Sequence, residues 1–310
     1  MRRRPLPGTD LELSTVGFGC WPLGGEYWGP TDEAAHIAAI ETALERGINW
    51  FDTAPLYGKG RADEVLAKTL GARIHEVVVA TKVGVRFEEH AVSDLRPEHI
   101  VADCEASLRR LKEPLDLLQV HWPCQQGTAL EDTAAALDDL VTRGWVRHWG
   151  VCNYDGAGIR ALKPASVQSP FSLMRREIEG DTLPAARELG IGVLAYEGLC
   201  RGLLTGKFRT QPRFGDDDLR SRDPRFSGKG FMYGSMLARD LARVGDKVGV
   251  PAAALALGWV AAQPGVTAVI AGCRSPQQVH ENICADPVAG SPKVIEALNR
   301  VVSRRAAPRW

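Results

Sequence analysis

The sequence predicts a (β/α)8 TIM barrel, on three observations. Eight short runs rich in β-branched residues alternate with amphipathic helical stretches almost from end to end. The length of 310 residues suits one barrel of the roughly 250-residue class with additions, so residues 1–310 are expected to form a single barrel domain. The first strand also lacks the sequel that a doubly wound dinucleotide-binding sheet needs. Gly17-Phe18-Gly19-Cys20-Trp21-Pro22 breaks G-x-G-x-x-G at its last glycine, and Pro22 is a poor place to open that helix.

The elements follow in order. Val16–Gly19 reads as the first strand and leads into an aromatic, glycine-rich segment. Thr31 or Asp32 caps a helix in which Ile37, Ile40 and Leu44 recur at helical spacing, and Gly47 stops it. The second strand is Ile48–Phe51, followed by a helix from about Ala62 to Leu70 and a third strand, Val77–Ala80. Pro97 sits in the first turn of a helix reaching Leu111. After the fourth strand, Leu115–Val120, residues Leu130, Ala134, Leu137 and Val141 line one helical face that Gly144 closes. Val146–Val151, Ala165–Gln168, Ile191–Ala195 and Thr267–Ile270 complete the strands, and a last helix begins near Pro276. Arg4–Leu13, with Pro7-Gly8-Thr9-Asp10 as its turn, reads as an N-terminal β-hairpin closing the barrel bottom. The irregular stretch Leu199–Gly230 exceeds an ordinary connection and is expected to be a functional loop over the C-terminal mouth. Ala306–Trp310 reads as a loose tail.

Charge and composition narrow the function. Lys+Arg and Asp+Glu both total 38, which removes a bulk electrostatic argument for nucleic acid or an anionic membrane. Arg2-Arg3-Arg4 is followed by Pro5 and Leu6 rather than an apolar run, so no signal peptide is read. No eighteen-residue window is apolar and free of charge, and a cytoplasmic enzyme is the default expectation. The seven cysteines include no CxxC pair, so they are expected to be reduced, buried thiols, with no metal or dithiol centre.

In a barrel, chemistry gathers at the carboxyl ends of the strands. Asp52 follows the second strand and Tyr57 comes five residues later. Lys82 ends the third strand, His121 the fourth, Asn153 the fifth and Gln168 the sixth. Singly, each has an ordinary structural explanation, such as a turn cap, a rim charge or a satisfied histidine. Together they form an acid–base group. A phenol titrating near ~10 needs a neighbouring cation to favour its anion. A buried ammonium in turn needs a carboxylate. Lys82 and Asp52 fill those two roles beside Tyr57.

Phe51-Asp52-Thr53-Ala54, then Tyr57-Gly58, Gly60 and Glu64, resembles the aldo-keto reductase signature FDTAxxYGxGxxxE. The resemblance continues through Thr81-Lys82, Asp116–Pro123 and Gly150–Tyr154, and covers Val16 to Asn282. Leu194-Ala195-Tyr196, Leu199–Lys207 and Asp218–Phe226 are similar to bacterial members of the stress-response and glycerol dehydrogenase-like type.

The resemblance implies an NADP(H)-dependent oxidoreductase, with NAD possible, interconverting small carbonyls and alcohols. By it, Asp52, Tyr57, Lys82 and His121 are catalytic. Trp21 and Asp52 are implied to touch the cofactor, and Cys152, Asn153 and Gln168 lie at the positions facing the nicotinamide carboxamide. Tyr196 lies under the ring. Glu197 presents only its backbone, since a carboxylate beside a pyrophosphate repels it. Leu199, Gly202 and Lys207 wrap the pyrophosphate, while Gly272, Arg274, Gln278, Glu281 and Asn282 hold the adenosine end. Arg274 stands where a 2′-phosphate would sit. Trp21, Trp28, Tyr57, Phe87, His121 and Trp122 are implied to line the substrate cleft, while Trp50, Trp145 and Trp149 are expected in the core. Two alternatives accompany this reading: a ketosugar or natural-product reductase, and a nicotinamide-sensing module like potassium-channel β subunits. The full acid–base set favours turnover over sensing alone.

Overall fold

The computed structural model describes residues 1–29, 31–87, 91–112 and 114–304. The expected tail at 306–310 and the side chain of Phe87 lie outside the described residues. Eight parallel strands close into a barrel. They are β1 (Val16–Gly19), β2 (Trp50–Asp52), β3 (Val78–Val83), β4 (Leu115–Val120), β5 (Val146–Cys152), β6 (Ser166–Pro170), β7 (Gly192–Tyr196) and β8 (Val266–Gly272). Each strand pairs with its neighbour in sequence, and β8 returns to β1 through Val269 opposite Val16.

The first six strands are each followed by a helix: α1 (Glu33–Glu45), α2 (Arg61–Leu70), α3 (Pro97–Leu111), α4 (Leu130–Thr142), α5 (Gly156–Leu162) and α6 (Thr182–Leu189). After β7 come α7 (Gly228–Val248) and α8 (Ala252–Ala261), and after β8 come α9 (Pro276–Ile283), α10 (Ala285–Ala289) and α11 (Pro292–Ser303). Asp32 caps α1 by accepting from the Ala35 N–H at 3.2 Å, which satisfies one of the helix's otherwise unpaired donors. Three helices thus follow β8 among the described residues, where one was expected from Pro276. Among the described residues, no single helix is long and apolar enough to cross a membrane.

The bottom is closed as the sequence predicts. Arg3–Pro5 pairs antiparallel with Glu12–Ser14, and the buried Leu6, Leu11 and Leu13 of this hairpin pack against Trp50, Leu117 and Leu194 inside the barrel. Gly17 makes room for this floor. A Cβ there would lie 2.1 Å from the Trp50 indole, so a glycine on β1 lets a tryptophan on β2 fill the barrel axis. Gly17 therefore belongs to barrel packing, not to a phosphate loop.

Several boundaries move for identifiable reasons. β2 starts at Trp50, not Ile48, because the Asn49 side chain is tied to the hairpin: it accepts from Ser14 N–H at 2.7 Å and donates to the Glu12 carbonyl at 2.8 Å. β3 runs on to Val83, which places Lys82 within the ladder instead of beyond it, and β6 runs on to Pro170, two residues past Gln168. Trp50 is fully buried; Trp145 and Trp149 also pack against the core, though each keeps part of its ring at the surface. Trp149 donates its indole N–H to Asp138 at 2.8 Å, and the Arg143 guanidinium stacks over Trp145; a polar partner at the barrel exterior holds each ring there. The long loop carries three single 3-10 turns, Leu203–Thr205, Leu219–Arg222 and Pro224–Phe226, before α7 begins at Gly228.

Candidate active site

Asp52 is the last residue of β2, and strand alternation aims it into the barrel mouth. Tyr57 is delivered by the turn that follows. Its N–H donates to the Ala54 carbonyl at 2.9 Å, and Thr53 and Arg110 both bond the buried Asp63 at the head of α2. Gly58 locks this turn. It has φ +63, and a Cβ there would lie 2.2 Å from the Gly24 carbonyl, so only glycine lets the segment after β1 press against the segment carrying Tyr57.

Lys82 joins these groups. Its Nζ donates to Asp52 Oδ1 and Oδ2 at 2.7 and 2.9 Å, to the Thr53 carbonyl at 2.9 Å and to Tyr57 Oη at 3.4 Å. Lys82 is 1% exposed and Asp52 3%. Burial is the largest influence and works against the ammonium, but the charge and hydrogen bonds of Asp52, with Tyr57 and Cys152 nearby, together outweigh it, so Lys82 binds its proton more tightly than a free lysine. For Tyr57 the balance runs against the sequence expectation. Burial pushes the phenol above its ordinary range, and Lys82 only partly offsets that. His121, just beyond β4, is driven well below the ordinary histidine range, first by burial and then by Lys82, which keeps the imidazole neutral. Its ring stands edge-on to Tyr57 at 6.1 Å and stacks on Trp122 at 4.0 Å.

The expected neighbours come together at one cleft of about 810 Å³. Trp21, Trp28, Asp52, Tyr57, His121, Trp122, Asn153, Gln168 and Tyr196 line one part of it, and Glu197, Leu199, Gly202, Lys207, Gly272, Arg274, Gln278, Glu281 and Asn282 line the rest. Trp21 stacks with Tyr57 at 6.0 Å and meets Trp28 edge-on at 5.1 Å. Lys82 lies behind the lining. Cys152 does not line the cleft either. It is 1% exposed, buried near Lys82 at the last position of β5, while Asn153 just beyond the strand turns at φ +64 and reaches the cleft.

Polar side chains around the acid–base group are interlinked. Gln168 donates to Asp52 Oδ2 at 2.7 Å. Asn153 donates to the His121 carbonyl at 2.9 Å and accepts the Tyr196 hydroxyl at 2.8 Å. Sequence reasoning missed Gln119, fully buried, which donates to Asp52 Oδ2 at 3.4 Å. The signal was available, since residues 119 and 121 share a face of β4 by its two-residue period.

At the other end, Lys207, Arg220 and Arg274 all line the cleft; Arg220 also escaped the sequence reading. Arg274 donates to the Trp28 carbonyl at 3.0 Å, and its own N–H bonds Gln278 at 2.8 Å. Loss of water, with Arg220 and Arg274 nearby, lowers the Lys207 ammonium below its usual range. Among the described residues Lys207 makes no ion pair. Cations crowded at one end of a cleft suit a phosphate-bearing ligand. Glu197 is masked, as its neighbours require. Its carboxylate accepts from Arg225 at 2.8 Å and Arg201 at 3.0 Å, and stays below its ordinary range despite burial.

The profile of the Aldo/keto reductase family matches residues 15–302. This chain belongs to the aldo/keto reductase family. It is 36% identical over 289 residues to aldo-keto reductase YhdN of Bacillus subtilis, spanning 90% of this chain and 87% of that one. It is 28% identical over 324 residues to a probable voltage-gated potassium channel subunit beta of Arabidopsis thaliana, spanning 98% of each. Among solved structures, the glycerol dehydrogenase AKR11B4 from Gluconobacter oxydans superposes with a TM-score of 0.89 at 34% identity, covering 99% of this chain and 97% of that one. Aldo-keto reductase AKR11C1 from Bacillus halodurans gives 0.78 at 28%, covering 97% and 96%. The aldo/keto reductase described here is therefore an NAD(P)-dependent oxidoreductase acting on small-molecule carbonyls, of the bacterial branch that the sequence resembles.

Proposed function

We propose that this reductase converts aldehydes or ketones to alcohols, or the reverse, with NADPH and with Tyr57 as general acid and base. One observation carries the reading: a single buried ammonium, Lys82, spans the Asp52 carboxylate and the Tyr57 hydroxyl at one end of a cleft whose other end is cationic. The polar donors at Asn153 and Gln168 and the Lys207, Arg220 and Arg274 cluster fit a nicotinamide dinucleotide laid along this cleft. Asn153 and Gln168 would face its carboxamide and Tyr196 its ring. Leu199, Gly202 and Lys207 would hold the pyrophosphate. Gly272, Arg274, Gln278, Glu281 and Asn282 would hold the adenosine end, with Arg274 on the 2′-phosphate. Bound there, the nicotinamide supplies hydride in reduction and takes it up in oxidation.

The chain's own residues handle the proton. Tyr57 passes its phenolic proton to the carbonyl oxygen, and the phenolate left behind is stabilised by Lys82. Asp52 keeps Lys82 charged and fixed, helped by Gln168 and Gln119. Neutral His121 donates a hydrogen bond to the same oxygen and orients it. Trp21, Trp28 and Trp122 wall the substrate and exclude water, which strengthens each polar contact.

Similarity to a probable channel β subunit supports a second reading, in which bound nicotinamide is sensed. A panel of carbonyls and alcohols, glycerol included, followed by absorbance of the reduced nicotinamide, separates the two. Turnover supports the reductase. Cofactor binding by titration with no turnover across the panel supports sensing.

A further inference from the structure

The long loop between Leu199 and Gly228 crosses the cleft as a strap, and its lining residues Lys207 and Arg220 supply two of the three cations at the nucleotide end. It has a small core of its own. Phe208, Phe214 and Phe226 meet edge-to-face with centroids 5.2 to 5.8 Å apart. One contact ties its middle to the segment after β1: the Leu219 N–H donates to the Tyr27 carbonyl at 3.1 Å. Its two ends meet a single carboxylate. Glu197, at the exit of β7, accepts from Arg225 near the end of the strap at 2.8 Å and from Arg201 near its start at 3.0 Å. Asp223 completes the cluster, held by Arg225 at 2.6 Å and Arg201 at 3.1 Å.

We propose that Glu197 is the docking post of the strap, a positioning residue whose carboxylate gathers Arg201 and Arg225 and so holds Lys207 and Arg220 over the nucleotide end of the cleft. The local backbone fits that task. Glu197, Cys200 and Arg201 all have φ between +48 and +58, a left-handed region costly for side-chain-bearing residues, so the surrounding contacts must hold this turn in place. The Glu197 side chain is 8% exposed and that of Arg225 10%, so the pair is shielded from the water that weakens surface ion pairs. A carboxylate lining a cleft built for phosphates is repulsive by itself. Here Arg201, Arg225 and Arg175 face Glu197 and Asp223, with Glu177 on the far side of Arg175, so three cations offset three anions and the Glu197 charge is neutralised. The charge that looks misplaced in the sequence thus serves to seat the cations.

The proposal rests on the nucleotide reading for its consequence but not for its test, because the strap can be probed without cofactor. Exposed trypsin sites at Lys207, Arg209, Arg213 and Arg222 report on it directly. In the full-length protein, Glu197→Gln is expected to speed cleavage at these four sites about tenfold, while sites elsewhere, such as Arg109 and Arg143, stay slow. Arg225→Met asks the same question from the strap side, should Glu197→Gln fail to fold. The double variant is expected to be cleaved no faster than either single one, because the two side chains act as one unit. Titration with NADPH, read by tryptophan fluorescence, should show each single variant binding at least tenfold more weakly. Strap cleavage at the wild-type rate in both single variants overturns the docking role, as does strictly additive cleavage in the double. If cleavage behaves as expected but no variant changes NADPH affinity, the docking stands and the assignment of that end of the cleft to nucleotide phosphates falls.

Discussion

Lys82 Nζ stands 2.7 Å from Asp52 Oδ1 and 3.4 Å from Tyr57 Oη, so the ammonium is held by the carboxylate and lent to the phenol. The asymmetry explains why burial still wins at Tyr57. The cation lowers the phenol's proton affinity without cancelling the loss of water around it.

Replacing that cation should have two separable effects. In Lys82→Met the phenol loses its main stabiliser as an anion, so the pH at which alcohol oxidation rises should move upward and the rate should fall at least tenfold. The stranded Asp52 carboxylate should also cost stability, about 3–5 kcal/mol for breaking a buried pair. A pH–rate profile combined with thermal unfolding reads both. A profile unchanged in shape and height contradicts the coupling of Lys82 to Tyr57.

His121 should stay neutral through the ordinary histidine range. Its folded proton affinity lies below the ordinary value near 6.5, so the unfolded chain takes up a proton that the native chain refuses. The stability this confers is complete above about 6.5 and shrinks as pH falls toward the folded value. Imidazole resonances followed across that range provide the check, with His121→Phe as the assignment control. A His121 signal titrating near 6.5 counts against a neutral donor.

Arg274→Ala should erase a preference for NADPH over NADH. A charge-assisted contact of this kind is worth about 1.5–3 kcal/mol, or roughly ten- to a hundredfold in affinity. Glu281 lines the same end and is bonded by Gln277 at 2.9 Å, so its negative charge tempers the preference in the wild type. Calorimetric titration with both reduced cofactors decides. Equal wild-type affinities remove the 2′-phosphate role from Arg274.

Gly17→Ala should destabilise the barrel, because the added methyl lands on the Trp50 indole. Overpacking of a filled core costs about 1–3 kcal/mol, and a buried tryptophan across the axis has little room to retreat. Denaturant unfolding reads the loss, and stability equal to wild type would show that the floor is looser than its geometry implies.

What could be read from the sequence follows from how local each signal is. Asp52 and Tyr57 are five residues apart in one turn, and Lys82 and His121 each lie at a strand end, so strand periodicity and short spacing were enough to group them. The direction of the Tyr57 shift was not readable, because it depends on how much water the folded barrel removes from the phenol. The bonds that fix Glu197 were equally hidden. Arg225 lies 28 residues away, across a stretch with no periodicity, and only the folded strap brings them together. Gln119 lies in the Asp116–Pro123 motif two residues before His121, but its partner Asp52 is 67 residues distant.

Tyr57→Phe removes the proton on which the proposed reaction turns. The substitution removes one oxygen from a ring already packed against Trp21, so the cleft should keep its shape. General acid catalysis contributes typically ~10²–10⁴-fold, and kcat for carbonyl reduction should fall at least that far while NADPH affinity stays within about threefold of wild type. A variant that retains wild-type kcat on the best carbonyl substrate would show that Tyr57 is not the proton donor.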